Sequence, residues 1–163
     1  MEGRAGLNFI PYVPSISIKS PTVTYTVYSA TRNNTAMPVP ETHSVLIVDD
    51  DDMIRSYLSI ILRQAGYTIA GEVGDVQKAQ KVLSRMPVSV LFLDINLPGV
   101  DGLTALKDLR AAYPATQVIM LSGESTAQNV TTAMADGAQS FVTKPFTADK
   151  VLQSVRKALA ARS

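Results

Sequence analysis

A chain of 163 residues is long enough for one domain with a full hydrophobic core and too short for two ordinary domains joined by a linker. Hydrophobic residues make up 46% and charged residues 18%, the balance of a globular chain, and 15 basic against 14 acidic residues leave a net charge of +1, with no whole-protein attraction for nucleic acid or anionic lipid. The absence of cysteine and the single histidine, His43, exclude disulfides, thiolate nucleophiles and sites built on several imidazoles, and disfavour a histidine-centred triad. Chemistry has to run on carboxylates, hydroxyls and lysines.

Residues 1–43 hold five of the nine prolines (Pro11, Pro14, Pro21, Pro38 and Pro40) and no stretch of helical periodicity. They read as a flexible N-terminal extension, with two short alternating pieces, Ser15 to Lys19 and Thr22 to Tyr28, spaced like a hairpin that would be marginal by itself. Met37 is an alternative start, since Met37 to Ser44 is the short polar lead-in that a domain beginning at Val45 needs. No apolar run approaches the roughly 18 residues of a membrane span, and the N-terminus lacks the basic-then-apolar order of a secretory signal, so a cytoplasmic protein is expected.

From Val45 onward the pattern is regular. Continuous apolar runs at Val45 to Val48, Val90 to Leu93 and Val118 to Leu121, and the briefer Phe141 and Val142, predict strands buried on both faces. Tyr67 to Glu72 supplies another strand. Between them lie apolar stripes at helical spacing: Ile54, Tyr57, Leu58, Ile61 and Leu62; the segment Asp75 to Arg85; Leu103, Leu106 and Leu109; Val151, Leu152, Val155 and Leu159. Strand then helix, five times over, predicts an α/β fold with a five-stranded, doubly wound parallel sheet, flavodoxin-like, in the order 2-1-3-4-5. Asp52, Asp101 and Thr147 stand where helix N-caps are wanted, and Gly66 and Gly137 follow helical stretches.

The first strand runs directly into Asp49, Asp50, Asp51 and Asp52, and the third into Asp94. In this strand order the ligand crevice lies between the carboxyl ends of those two strands. Two carboxylates about 4 Å apart repel by about 4 kcal/mol at an effective dielectric near 20, so Asp49, Asp50 and Asp94 call for a cation, and an oxygen-only donor set favours Mg²⁺. Ser122 follows the fourth strand and Lys144 the fifth. Acids, hydroxyl and ammonium on one edge suit a phosphoryl group: Asp94 as nucleophile, Lys144 and Mg²⁺ neutralising its oxygens, Ser122 donating to one of them. Each of these acids alone would be an ordinary turn former or cap, and Lys144 alone a surface lysine; the joint placement carries the reading.

Three segments, Val45-Leu-Ile-Val-Asp-Asp-Asp-Asp-Met-Ile-Arg55, Leu91-Phe-Leu-Asp-Ile-Asn-Leu-Pro-Gly-Val-Asp-Gly-Leu103 and Gly137-Ala-Gln-Ser-Phe-Val-Thr-Lys-Pro-Phe146, resemble the signature segments of bacterial response-regulator receiver domains. The resemblance assigns residues 44–163 to a receiver. It implies that Asp94 is the phosphoacceptor, that Asp49, Asp50, Asp94 and the Asn96 backbone carbonyl bind Mg²⁺, and that Ser122 and Lys144 contact the phosphoryl group. It makes Ser122 and Phe141 the switch residues and implies a cis Lys144-Pro145 bond. Asn96 and Glu124, two positions beyond Asp94 and Ser122, would border the water that hydrolyses the aspartyl phosphate; the pairing resembles that of chemotaxis-type, stand-alone receivers with a short-lived phosphoryl group.

The function this implies is a phosphorylation-controlled switch in a two-component system or phosphorelay. A histidine kinase or phosphotransfer protein would supply the phosphoryl group, and an unknown output protein would read it. No basic patch or helix-turn-helix is recognisable and no effector sequence follows Ser163, so neither direct DNA binding nor a membrane partner is expected, and the only reactions are gain and loss of phosphoryl at Asp94. Two alternatives stay open on the residues. A haloacid-dehalogenase-type phosphatase would use Asp50 and Asp52 as its D-x-D pair, but needs an acidic pair after the lysine strand, where only Asp149 follows. A phosphorylation-independent adaptor would leave the intact set of acids, Ser122 and Lys144 without a use.

Overall fold

The computed structural model describes residues 43–124 and 126–161. The expected extension, its hairpin and the alternative start at Met37 lie outside the described residues.

Runs of β-branched and leucine residues form β1 (Ser44–Val48), β3 (Val90–Asp94) and β4 (Gln117–Ser122), and shorter or more mixed segments form β2 (Thr68–Val73) and β5 (Ser140–Thr143). All pair in parallel, in the order β2-β1-β3-β4-β5. The connections are α1 (Asp52–Gln64), α2 (Val76–Leu83), α3 (Gly102–Ala112), α4 (Ala127–Ala135) and α5 (Ala148–Ala160), so the five-stranded, doubly wound fold expected from the sequence is the one present. A small antiparallel ribbon, Asn96–Leu97 with Val100–Asp101, joins β3 to α3; two residues per strand are too few to show as a period-two pattern.

Alternation along the strands divides the core into two layers. Leu46, Val48, Leu91, Leu93 and Met120 pack with Leu83, Leu106, Leu109 and Ala133 of α2, α3 and α4. Val45, Ile47, Val90, Phe92 and Leu121 pack with Leu58, Leu62, Val151 and Val155 of α1 and α5. Both faces of the central strands are dry, which is why their sequences are continuously apolar, and burial of each large side chain stabilises the fold by about 1.5–3 kcal/mol.

Some boundaries differ from the expected ones. The second strand begins at Thr68 because the Tyr67 amide closes the end of α1 by donating to the Leu62 carbonyl at 3.0 Å, and the ladder opens only with Thr68 N–H to His43 O at 3.2 Å. α2 ends at Leu83, two residues short of Arg85; the Ser84 hydroxyl donates to the Lys81 carbonyl, and Pro87 follows. The cap of α1 is Asp51 and not Asp52: Asp51 Oδ1 accepts from the Met53 and Ile54 amides at 2.8 and 3.3 Å. An N-cap carboxylate has to reach amides two or three residues ahead, and the tight exit from β1 brings that geometry one residue early; Asp52 becomes the first-turn acid. Asp101 and Thr147 cap α3 and α5 as expected, Asp75 and Thr126 do the same for α2 and α4, and Gly66 and Gly137 take positive φ of 88° and 96° beyond α1 and α4. The Lys144-Pro145 bond is cis, as the resemblance implied.

At the start of α3, Gly102 lies directly against the backbone that carries Asp94. Its amide donates to the Ile95 carbonyl at 2.8 Å, and a Cβ there would sit 2.6 Å from Ile95 Cα and closer still to the Asp94 carbonyl oxygen. Both obstacles are main chain and cannot swing aside. Gly102→Ala is therefore expected to lower the unfolding free energy by about 3 kcal/mol, near the top of the range for overpacking, in a urea titration; a loss below about 0.5 kcal/mol, the scale of a neutral surface change, would contradict this packing.

Candidate functional site

Sheet register dictates what meets at the carboxyl edge. Val48 pairs with Leu93, so the next residues along the two strands, Asp49 and Asp94, fall side by side. Asp94 pairs with Leu121, and Ser122 with Thr143, which places Ser122 and then Lys144 on the neighbouring strand ends. Asp49 is fully buried, Asp94 is 3% exposed, and Asp50 is exposed to solvent. One carboxylate oxygen from each of these acids lies within 4.8 Å of the others. Among the expected metal-ligating side chains, those of Asp49, Asp50 and Asp94 are thus brought together; Asn96, expected to act through its carbonyl, is exposed in the ribbon two residues past Asp94.

The ammonium of Lys144 lies between the two buried acids, 2.6 Å from Asp49 Oδ2 and 3.1 Å from Asp94 Oδ2. Asp49 Oδ1 accepts the Asp51 amide at 3.0 Å. Asp94 Oδ1 is buried and accepts no hydrogen bond. Burial pushes the Asp49 carboxyl above its ordinary value of 3.8; Lys144 and the Asp51 amide pull it down without cancelling the desolvation, and the charge of Asp94 pushes the same way as burial. For Lys144, burial works to lower the pKa, but the hydrogen bond to Asp49 and the charges of both acids outweigh it and hold the ammonium above its ordinary 10.5. The site therefore keeps a fixed positive charge beside an acid pair with one free buried oxygen. Its donor set, three carboxylates and no nitrogen or sulfur, fits a hard divalent cation.

Ser122 is buried, and its hydroxyl is engaged in its own loop: Oγ donates to the Glu124 carbonyl at 2.6 Å and accepts the Glu124 amide at 3.1 Å. Its carbonyl takes the Lys144 amide at 2.7 Å, tying the serine and lysine strand ends together. Phe141 is half-buried against the layer formed with α2, α3 and α4, and the Glu124 side chain is exposed. Asp52 is outside the acid cluster and ion-paired with Arg55, and Asp149, in the first turn of α5, is outside it too, so of the acids that a D-x-D phosphatase would need only Asp50 belongs to the site. Sequence reading gave Arg55 no role, yet its guanidinium donates to the Asp49 carbonyl at 2.6 Å. Its sequence signal is a basic residue one helical turn after the acids.

A family model described as the response regulator receiver domain matches residues 45–156. The chain belongs to that family. The receiver is 35% identical over 115 residues to Protein CcdB of Bacillus subtilis (strain 168), an alignment covering 71% of this chain and 96% of that protein. It is 32% identical over 117 residues to chemotaxis protein CheY of the same organism, covering 72% and 98%. A crystal structure of NtrX from Brucella abortus superposes with a TM-score of 0.70 at 30% identity, over 74% of this chain and 28% of that one. This receiver is thus similar both to proteins of nearly the same extent and to part of a much longer one. It has the phospho-accepting role of a response regulator.

The raised pKa of Asp49 has a stability consequence. A group whose folded pKa is raised lends the fold stability that is complete below the unfolded value and lost as pH rises through the folded one, so ionised Asp49 costs stability at neutral pH. Asp49→Asn is expected to raise the unfolding free energy at pH 7, because the neutral amide carries no desolvated charge. The advantage should disappear as pH falls towards 3.8. Chemical denaturation across that range checks both points; a less stable variant at pH 7 would contradict the assignment.

Proposed function

We propose that Asp94 is the residue phosphorylated, that Asp49, Asp50 and Asp94 with the Asn96 carbonyl hold Mg²⁺, and that a histidine kinase or phosphotransfer protein is the donor. The observation that carries this reading is the free, buried Asp94 Oδ1 beside the Lys144 ammonium. An Asp94 carboxylate oxygen attacks the phosphorus of a phosphohistidine; the new O–P bond forms as the N–P bond breaks, and the imidazole leaves with the electron pair and takes up a proton. Lys144, positively charged and 3.1 Å from Asp94 Oδ2, neutralises charge on the transferred oxygens. A bound Mg²⁺ would add the remaining neutralisation and relieve the repulsion among the acids.

The phosphoryl group adds about two negative charges and strong acceptors next to a hydroxyl already bonded elsewhere. In the proposed switch Ser122 gives up the Glu124 carbonyl, turns to the phosphoryl oxygen and frees the loop after β4, and Phe141 follows by repacking. The output is altered affinity for another protein, with no direct DNA contact. Residues 44–163 act as the receiver and 1–43 as an extension outside it. No described helix is long and apolar enough to cross a membrane; a cytoplasmic setting is part of the same proposal.

With phosphoramidate as donor, wild type should acquire an acid-labile, hydroxylamine-sensitive label in Mg²⁺, and Asp94→Asn or excess chelator should abolish it. Wild-type labelling of the variant would overturn the phosphoacceptor, and full labelling in chelator the metal.

Asn96 and Glu124 carry a prediction about lifetime. Both are polar and exposed, so they leave the approach of an in-line water open. Wild type should lose its phosphoryl group within seconds to minutes, and Asn96→Met with Glu124→Leu should slow that loss at least about tenfold, the order contributed by orienting one water. A wild-type lifetime of many hours, or no slowing in the double variant, would contradict it.

A further inference from the structure

Arg55 occupies a place that neither capping nor core packing requires. It is on α1, one turn after its start, yet its side chain is only 16% exposed and folds back over the turn from β1. One amino group of the guanidinium, Nη1, donates to the Asp49 carbonyl at 2.6 Å, and the other, Nη2, meets the Asp52 carboxylate. The planar fork thus spans the two residues that flank Asp50 and Asp51. Beyond it lies Gly74, the first residue after β2. A Cβ there would come 3.6 Å from Nη1 and 3.8 Å from the Asp49 carbonyl, and the Asp49 amide donates to the Val73 carbonyl at 3.1 Å. Asp49 is therefore gripped at both ends: its amide by β2, its carbonyl by Arg55.

That carbonyl belongs to the peptide group that leads into Asp50. Fixing its plane fixes where Asp50 starts, and Asp50 is the one exposed member of the acid cluster, with no hydrogen bond of its own side chain among those described. We propose that Arg55 is a positioning residue for the cation: by clamping the Asp49–Asp50 peptide it presents Asp50 to the metal, without touching metal or phosphoryl group itself. The inference rests on the metal site proposed above.

Preorganisation and electrostatics predict opposite signs here. A guanidinium near a cation site repels the cation, so if charge alone mattered, Arg55→Ala would tighten Mg²⁺ binding, all the more because it leaves the Asp52 carboxylate without its partner. If the clamp matters, Arg55→Ala weakens binding, by about tenfold if one residue's backbone must be ordered on metal uptake. Arg55→Lys keeps the charge but, as a point donor, holds the carbonyl and the carboxylate together poorly, and should weaken binding severalfold. Arg55→Ala combined with Asp52→Ala removes the ion pair as a neutral unit and should bind as weakly as Arg55→Ala.

The test is a titration with Mg²⁺ alone, followed by the amide resonances of Asp50 and Gly74, on variants shown to be folded by their unfolding transitions. The rate of labelling by phosphoramidate is then measured against Mg²⁺ concentration. The proposal expects weaker Mg²⁺ binding in all three variants and, for Arg55→Ala, a raised Mg²⁺ requirement with a maximal rate within about twofold of wild type, since preorganisation acts on binding and not on the transition state. Unchanged or tighter binding in folded Arg55→Ala, or in Arg55→Lys where Arg55→Ala does not fold, overturns the role of Arg55. Failure of wild type itself to bind Mg²⁺ overturns the metal site beneath it.

Discussion

Two carboxylates share one ammonium at the carboxyl edge of this sheet. Lys144 Nζ is 2.6 Å from one oxygen of Asp49 and 3.1 Å from one of Asp94, and both acids are removed from water. Without that charge, the repulsion of the pair would add to two desolvation penalties, several kcal/mol in a fold whose whole stability is of the order of 5–15 kcal/mol. Lys144 makes the pair tolerable but does not satisfy it: Asp94 Oδ1 still accepts no hydrogen bond. In the proposed reaction that unsatisfied oxygen is the useful feature, because a carboxylate already saturated with donors would be a poor ligand and a poor nucleophile.

Much of the surrounding structure serves to hold this arrangement still. Sheet register sets Asp49 beside Asp94, and the dry layers on either side of β1 and β3 leave that register no freedom to slip, since a slip by one residue would turn every core side chain to the opposite face. The loops are pinned by main-chain contacts: Gly102 against Ile95, Lys144 N–H on the Ser122 carbonyl, Arg55 on the Asp49 carbonyl. The exception is the loop after β4, held at its start by the Ser122 hydroxyl, a group that a phosphoryl oxygen would compete for. Rigid acids and a releasable serine suit the proposed switch, in which the chemistry stays fixed while the loop after β4 and Phe141 change.

The fold was legible because three of its strands are buried on both faces and therefore appear as unbroken apolar runs, and because each helix between them keeps one apolar stripe. The site was legible for a related reason: in a parallel sheet every strand delivers its next residue to the same edge, so Asp49, Asp94, Ser122 and Lys144 could be placed together from their positions after apolar runs. Other features depend on geometry that composition does not encode. Whether Asp51 or Asp52 caps α1 turns on how tightly the chain leaves β1, and both residues are aspartate. The end of α2 and the start of β2 are set by individual hydrogen bonds, those of the Ser84 hydroxyl and the Tyr67 amide. That the Ser122 hydroxyl faces its own loop, and that Arg55 folds back from α1 and not out into water, are outcomes of competition among several donors and acceptors, which only the packed structure resolves.

Every proposed role at this sheet edge depends on which carboxylate carries the phosphoryl group. Labelling the wild-type chain with phosphoramidate and Mg²⁺, then reducing the acyl phosphate with borohydride, converts the modified aspartate to homoserine, which peptide sequencing locates. Homoserine at position 94 alone is the predicted result. Homoserine at position 49 or 50, or its absence from a chain that has taken up label, would contradict the central claim.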